Sequence, residues 1–265
     1  MTHLYIGTPG SVPFNPGDYW MPRRLNVTNL QVVKTEDKPA DPTEFKIRRA
    51  GTNGAHVIVL LDESSSMQRR LSETTDGLNT IIENHKKGDI ETFFSLYTFD
   101  GRGTNTIYDK VNVQSVTKIH NVGALGSTNL NDAIGDTLKA ISEKLKGVKK
   151  ADRNSVELII ITDGEENCSR TFSHSKVKEL IATAESKNWA TTFIGANYDV
   201  AQDGANYGFS SARTMSFSDG DSQSAYRSIA ASSVLTKSLL NAGENLNTVY
   251  AATEAGLKDG GNGKA

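Results

Sequence analysis

A regular alternation of strand and helix patterns from residue 55 onward is the feature of this sequence that most restricts its fold. Two runs of apolar residues, VIVLL from Val57 and LIII from Leu158, are typical of strands that are buried on both faces. Between such runs, apolar residues recur three or four positions apart, as they do on one face of a helix. Strands that alternate with helices predict an α/β domain with a mostly parallel central sheet and helices on both faces.

The predicted elements follow one another closely along the chain. The predicted strands lie at residues 55–61, 90–100, 105–113, 156–162, 191–197 and 213–217. Helical spacing predicts helices around residues 71–82, 130–145, 177–184, 199–207 and 222–240. We expect the third strand to be short and to lie at an edge of the sheet.

The two ends of the chain differ in composition from this central region. All six prolines fall within the first 42 residues, together with several large aromatic side chains. Because proline restricts the backbone and removes a donor, we predict an extended, Pro-rich N-terminal arm over residues 1–50 that lies on a surface. The last ten residues, GLKDGGNGKA, are rich in glycine and indicate a flexible end. We therefore predict one domain over residues 51–245 and a C-terminal tail over residues 246–265.

Composition limits the class of protein. The net charge is -2, which argues against a dedicated nucleic-acid-binding protein, and we interpret the basic run from Lys144 to Arg153 as a helix end and a linker. The single cysteine, Cys168, excludes an internal disulfide and is consistent with a reducing compartment. We see no signal peptide and no apolar run of about 18 residues, so we expect no membrane insertion and a cytoplasmic location.

Polar side chains follow two of the predicted strands and precede one predicted helix, at positions that a parallel sheet would bring to one end of the strands. Asp62, Ser64 and Ser66 follow the first strand, and Asp163 follows the strand at 156–162. Thr128 lies two residues before the helix predicted from Leu130. In open α/β sheets, ligands bind at the carboxyl ends of the strands. We therefore expect these five side chains to converge on one site.

The chemistry of these five side chains favours a hard cation. All of them offer oxygen atoms, which Mg²⁺ prefers, and no cluster of histidine and cysteine suggests zinc. The alternate spacing of Asp62, Ser64 and Ser66 allows a tight turn to point every second side chain toward one place. Hydroxyl ligands are neutral, so they would leave the cation able to attract a further, anionic ligand such as a partner's Asp or Glu carboxylate.

Three motifs make the resemblance specific: DxSxS after the first strand, GSTNL before a helix, and TDGE after a later strand. Together they resemble the von Willebrand factor type A domain, over about residues 53 to 240. The resemblance implies a Rossmann-like fold with a metal-ion-dependent adhesion site that holds Mg²⁺ or Mn²⁺ and binds an acidic group of a protein partner. The metal residues it implies are Asp62, Ser64, Ser66, Thr128 and Asp163, with the hydroxyls as direct ligands and the aspartates often acting through water.

Two details extend or qualify the resemblance. The family usually has two glycines before its threonine, whereas Ser127 replaces the second one here. The stretch FIGANYDVAQDGANYGF, followed by TMSF, is similar to small stand-alone family members from bacteria and their phages. Glu165 and Glu166 either support the site or are loop charges, and we favour a supporting role for Glu165.

We consider three functions. The first is a non-enzymatic module that captures an acidic residue of a protein partner through the metal. The second is a structural or assembly component, for example of a phage virion, in which residues 1–50 contact neighbouring subunits. The third is a Mg²⁺-dependent phosphate-ester hydrolase with an aspartyl nucleophile, which we disfavour because such enzymes carry DxD where this chain has Asp62-Glu63-Ser64. Cys168 is either an inert cysteine, which we favour, or a reactive thiol or intermolecular disulfide partner.

Overall fold

The structure is a computed structural model of the chain. It describes residues 54–120, 122–149, 153–163, 166–196, 200–217 and 222–261. The predicted N-terminal arm, residues 1–50, lies outside the described residues.

The described chain alternates strands and helices, as the sequence pattern predicts. The strands are β1 (Ala55–Asp62), β2 (Thr92–Asp100), β3 (Gly103–Asn112), β4 (Ser155–Thr162), β5 (Ala190–Ala196) and β6 (Thr214–Phe217). The helices are α1 (Leu71–Lys86), α2 (Leu130–Lys144), α3 (His174–Ser186), α4 (Val200–Tyr207), α5 (Ser222–Asn241) and α6 (Leu246–Gly261). A short 3-10 helix, Ser65–Arg70, joins β1 to α1. Each strand and helix predicted between residues 55 and 240 is present, with its bounds moved by a few residues. The prediction of a short third strand is wrong: β3 has 10 residues, because it pairs with almost the whole length of β2.

The six strands form one sheet in the order β3-β2-β1-β4-β5-β6. All neighbouring strands are parallel except β3, which pairs antiparallel with β2 at an edge. In the pairing of β1 with β4, Leu61 lies opposite Ile161, so Asp62 and Thr162 come next at the same end of the sheet. The carboxyl ends of β1, β2 and β4 are therefore adjacent.

Helices cover both faces of the sheet, which explains the uninterrupted apolar runs. Every residue of β1 is buried. On one face, Val57 and Val59 pack in a cluster that includes residues of α1 and α5. On the other face, Ile58 and Leu60 pack in a cluster that includes residues of α2 and α3. A strand buried on both sides reads as a continuous hydrophobic run rather than as an alternation.

The C-terminal region differs from the predicted tail over residues 246–265. Residues Leu246–Gly261 form helix α6, and Leu257 is buried in the same core cluster as α1 and α5. Val249 and Tyr250 pack with Ala190 and Leu240 in a smaller cluster. The glycines of GLKDGGNGKA lower the intrinsic helix propensity, but packing of an apolar face stabilises a helix in spite of its propensity. No helix in the described ranges is both long and apolar enough to cross a lipid bilayer.

Candidate metal-ion site

Asp62 is the last residue of β1, and both of its carboxylate oxygens are bound within the protein. The backbone N–H of Ser64 donates to Oδ1 at 2.7 Å, and the Thr162 hydroxyl donates to Oδ2 at 2.6 Å. The Asp62 side chain is buried, and burial raises its pKa to about 6, although both hydrogen bonds act in the opposite direction. Thr162 thus holds Asp62 from the neighbouring strand, a role that the sequence pattern did not reveal.

The serines of the DxSxS motif alternate in direction, as their spacing predicts. The hydroxyl oxygens of Ser64 and Ser66 lie 2.9 Å apart. The hydroxyl and the backbone N–H of Ser65 both donate to the carbonyl of Gly126, at 2.9 Å and 3.0 Å. The first connection therefore presents its first and third serines together and uses its second serine to bind the neighbouring loop.

The segment that precedes Thr128 is hydrogen-bonded to Glu63, which lies in this first connection. The N–H of Leu125 donates to the Glu63 carbonyl at 2.6 Å, and the N–H of Gly123 donates to Glu63 Oε1 at 2.6 Å. Gly126 has a φ of 85°, a left-handed conformation that suits glycine. Gly126 therefore forms the turn between the segment that is hydrogen-bonded to Glu63 and the residues Ser127 and Thr128.

Thr128 is buried and is bound in turn to the connection that follows β4. Its backbone N–H donates to Asn167 Oδ1 at 3.0 Å, and its carbonyl accepts from the N–H groups of Asn167 and Cys168. The three predicted connections are thus linked by hydrogen bonds beyond the carboxyl ends of β1 and β4. The structure brings together the loops that carry Asp62, Ser64, Ser66, Thr128 and Asp163.

Glu166 supports the third connection. Its Oε1 accepts from the N–H groups of Cys168 and Ser169, and its Oε2 accepts from the Ser169 hydroxyl and the N–H of Asn131 at the start of α2. Four donors on one carboxylate fix the loop against the helix. The sequence analysis favoured Glu165 for a supporting role, but Glu165 lies outside the described residues.

The two carboxylate oxygens of Asp163 have different surroundings: one lies near the guanidinium of Arg70, and the other has no hydrogen-bond partner among the described residues. Its Oδ2 lies 3.7 Å from Nε of Arg70, and both side chains are buried. Its Oδ1 is buried and has no hydrogen-bond partner within the described part of the chain. Burial raises the pKa of Asp163, while Ser66 and Arg70 lower it. Because an unpaired buried carboxylate oxygen is costly, its presence points to a ligand at this place.

The donor set fits a hard cation of the Mg²⁺ type. No group of three or more His, Cys, Asp or Glu side chains in the described ranges is placed to hold a metal, so two carboxylates must be supplemented by hydroxyls. Neutral hydroxyls with one or two carboxylates suit Mg²⁺, which keeps several of its waters. Asn129, next to Thr128, adds a second buried oxygen that has no hydrogen-bond partner in the described part of the chain.

The other reactive residue types show no comparable arrangement in the described structure. Cys168 is a free thiol, and burial raises its pKa, which is the opposite of an activated thiolate. His56 and His85 bond to Ser95 and Ser233, respectively. All four of these side chains are buried, so a substrate would not reach either pair.

Comparison with solved structures found several to which this chain is similar. The structure resembles the VWA domain of SpRpn10 (13% identity, 62% of this chain and 87% of that chain covered, TM-score 0.45). It also resembles a von Willebrand factor type A structure from Catenulispora acidiphila (12% identity, 69% and 43% covered, TM-score 0.48). A third similar structure is the manganese-loaded Plasmodium vivax TRAP protein (18% identity, 54% and 57% covered, TM-score 0.40). The chain spans less than two thirds of the latter two structures.

Comparison with curated proteins found no match. The sequence itself, however, matches the von Willebrand factor type A domain over residues 56–234, which is more than half of the chain. The sheet order, the helices on both faces and the three linked connections are consistent with that match. This chain therefore belongs to the von Willebrand factor type A domain family.

Proposed function

We propose that this domain is a non-enzymatic module that binds a divalent cation, Mg²⁺ or Mn²⁺, and through it captures an Asp or Glu side chain of a protein partner. Domains of this family commonly mediate metal-dependent protein interactions. The observation that carries the proposal is Asp163 Oδ1, a buried carboxylate oxygen beside the linked loops that has no hydrogen-bond partner among the described residues.

The hydroxyl residues and Asp62 would have different roles in the site. Ser64, Ser66 and Thr128 would hold the cation through neutral hydroxyl oxygens. Asp62 is oriented by Thr162 and by the N–H of Ser64, so both of its oxygens already accept hydrogen bonds and its charge acts from a fixed position. The bound cation would supply the positive charge that attracts a carboxylate, because neutral ligands leave most of its charge unbalanced.

The surface next to the site offers an apolar contact for a partner. Leu125 is 60% exposed, the most exposed of the large hydrophobic side chains in the described ranges. Its backbone is held by the Glu63 carbonyl, one residue before Ser64 in the first connection. An exposed apolar side chain at this place would add a hydrophobic contact to the charged one made through the cation.

Calorimetric titration of the full chain with Mn²⁺ tests the metal site. We expect one equivalent to bind, Asp163→Asn to lose at least about tenfold in affinity, and Asp89→Asn to bind like the wild type. Asp89 is a suitable control because it is exposed and precedes β2, at the opposite end of the sheet. Wild-type affinity in Asp163→Asn would contradict the proposed site.

Capture of a partner through the cation is tested by comparing the proteins that co-purify with the full chain in Mg²⁺ and in EDTA. Partners should be recovered in Mg²⁺ and lost in EDTA or with Asp163→Asn. Partner binding that survives both changes would contradict capture through the metal. Turnover of a generic phosphate ester that disappears in Asp62→Ala would favour the hydrolase instead.

A structural or assembly role is the second candidate, and the concentration of all six prolines within the first 42 residues favours it. Residues 1–50 would then contact neighbouring subunits. Size-exclusion chromatography of the full chain and of a chain without residues 1–50, each with candidate neighbours, tests this role. Identical monomeric behaviour of the two chains would count against it.

A further inference from the structure

A buried arginine lies beside the candidate metal-ion site and is not one of its predicted ligands. Arg70 ends the 3-10 helix after β1 and is 4% exposed. A guanidinium keeps its positive charge in proteins. Arg69, its neighbour in the same helix, is exposed. The first connection therefore carries two adjacent arginines, one inside the protein next to Asp163 and one in solvent.

The contact between Arg70 and Asp163 is electrostatic more than a hydrogen bond. The distance from Nε to Oδ2 is 3.7 Å, longer than a normal hydrogen bond. Both side chains are almost completely buried, so their interaction is screened less by water and salt than that of a surface pair. Arg70 thus partly neutralises Asp163 from the Oδ2 side, while Oδ1 has no hydrogen-bond partner in the described ranges.

A cation bound at the site would share the Asp163 carboxylate with Arg70. Two positive charges close to one carboxylate repel each other, so the cation would be held less tightly than by an unshared carboxylate. The same repulsion is relieved when a further carboxylate arrives, because its negative charge is attracted by both the cation and Arg70. Binding of cation and carboxylate would then reinforce each other.

We propose that Arg70 is a built-in counter-charge that weakens cation binding in the absence of a partner and thereby couples tight cation binding to the arrival of the partner's carboxylate. This inference rests on the proposed function. It differs from a purely structural role, in which Arg70 would only hold Asp163 in place. The two roles predict opposite effects when Arg70 is replaced by an uncharged residue of similar length.

Mn²⁺ titrations with and without acetate, at equal pH and at an ionic strength matched with chloride, test the inference. Acetate serves as the probe carboxylate. Without acetate, Arg70→Met should bind Mn²⁺ about tenfold more tightly than the wild type, because the repulsion is gone. Acetate should raise the Mn²⁺ affinity of the wild type, and this gain should shrink severalfold in Arg70→Met. Arg69→Met, the exposed neighbour, should behave like the wild type in both titrations.

Each other outcome has a defined meaning. Weaker Mn²⁺ binding by Arg70→Met would assign a positioning role to Arg70 and overturn the inference, as would an affinity equal to that of Arg69→Met. Arg70→Lys keeps the charge and should retain wild-type affinities; if it binds as tightly as Arg70→Met, charge is not the cause. If Arg70→Met does not fold, Arg70→Gln replaces it in the comparison with Arg70→Lys. Failure of the wild type to bind Mn²⁺ would instead overturn the proposed function itself.

Discussion

Thr162 donates its hydroxyl to Asp62 Oδ2 across the pairing of β1 and β4. Replacing it by valine keeps the shape and removes this donor, so the Asp62 carboxylate would lose one of the two contacts that orient it. We predict that Thr162→Val lowers the affinity for Mn²⁺ about tenfold, the usual effect of losing a group that orients a ligand. Calorimetric titration of the variant checks this.

Thr98 provides the matched control for that prediction. It lies in β2 opposite Leu61, and its hydroxyl is buried without a hydrogen-bond partner within the described ranges. Thr98→Val removes the same hydroxyl without breaking a bond to the site, so its Mn²⁺ affinity should equal that of the wild type. Equal affinities of the two valine variants would mean that Thr162 does not orient Asp62.

Helices α1 and α5 pack closely enough that one position in α1 requires glycine. A Cβ atom on Gly77 would lie 2.2 Å from the ring of Tyr226, which is buried in α5. We predict that Gly77→Ala destabilises the protein by about 1 to 3 kcal/mol, because one of the two helices must shift. No atom of the described residues lies within 4 Å of a Cβ on Gly256 in α6, so Gly256→Ala should stabilise by roughly 0.5 to 1 kcal/mol. Urea denaturation measures both, and a stabilised Gly77→Ala would contradict this packing.

The same two helices are joined by a buried histidine. The Ser233 hydroxyl donates to Glu157 Oε2, so its oxygen accepts from Nε2 of His85. Nδ1 of His85 is buried and has no hydrogen-bond partner among the residues that the structure describes. Burial lowers the pKa of His85 from 6.5 to about 3, and the charge of Lys237 adds to this. The neutral histidine therefore contributes stability above pH 6.5, and this contribution is lost as the pH falls from 6.5 toward 3.

Replacing His85 by glutamine tests this pH dependence, because glutamine offers a donor that does not titrate. We predict that the free energy of unfolding of the wild type falls by roughly 2 to 3 kcal/mol more than that of His85→Gln between pH 6.5 and 4.5. His120→Gln, at an exposed position, should follow the wild type. Parallel curves for the wild type and His85→Gln would show that His85 does not cause the loss.

At the scale of the whole molecule, one buried ion pair ties the sheet to the last two helices. Arg213 Nη2 donates to Glu157 Oε1 in β4 at 2.7 Å, and both side chains are buried. Arg213 Nη1 donates to Ser232 in α5 and to Thr253 in α6. A buried charge that loses one of its partners is costly. Polar contacts as well as an apolar face therefore attach helix α6 to the domain.

Deleting residues 246–265 should therefore unfold or strongly destabilise the domain. The deletion removes Thr253 from Arg213 and strips the buried Val249 and Leu257 from the core, and each buried apolar side chain contributes about 1.5 to 3 kcal/mol. Thermal unfolding and soluble yield measure the effect. A chain that ends at residue 261 should match the full chain, and an equally stable chain that ends at residue 245 would mean that α6 is dispensable.

The order of strands and helices between residues 55 and 240 and the positions of the three motifs followed from the sequence by itself. Both depend on local features: apolar periodicity sets each element, and the polar residues stand where each apolar run stops. The exception is α6, whose glycine-rich end suggests a tail. Its helix is stabilised by burial against distant parts of the chain, and the local composition carries little of that information.

Only the tertiary structure decided which side chains meet at the site. Thr162 reaches Asp62 across 100 residues of chain, and Arg70 comes beside Asp163 only because β4 pairs with β1. The burial of Asp163 Oδ1, which has no hydrogen-bond partner within the described structure, likewise depends on the residues that surround it. Contacts between residues far apart in sequence depend on strand pairing, burial and the angle at which each loop leaves the sheet. The local spacing of residues determines none of these.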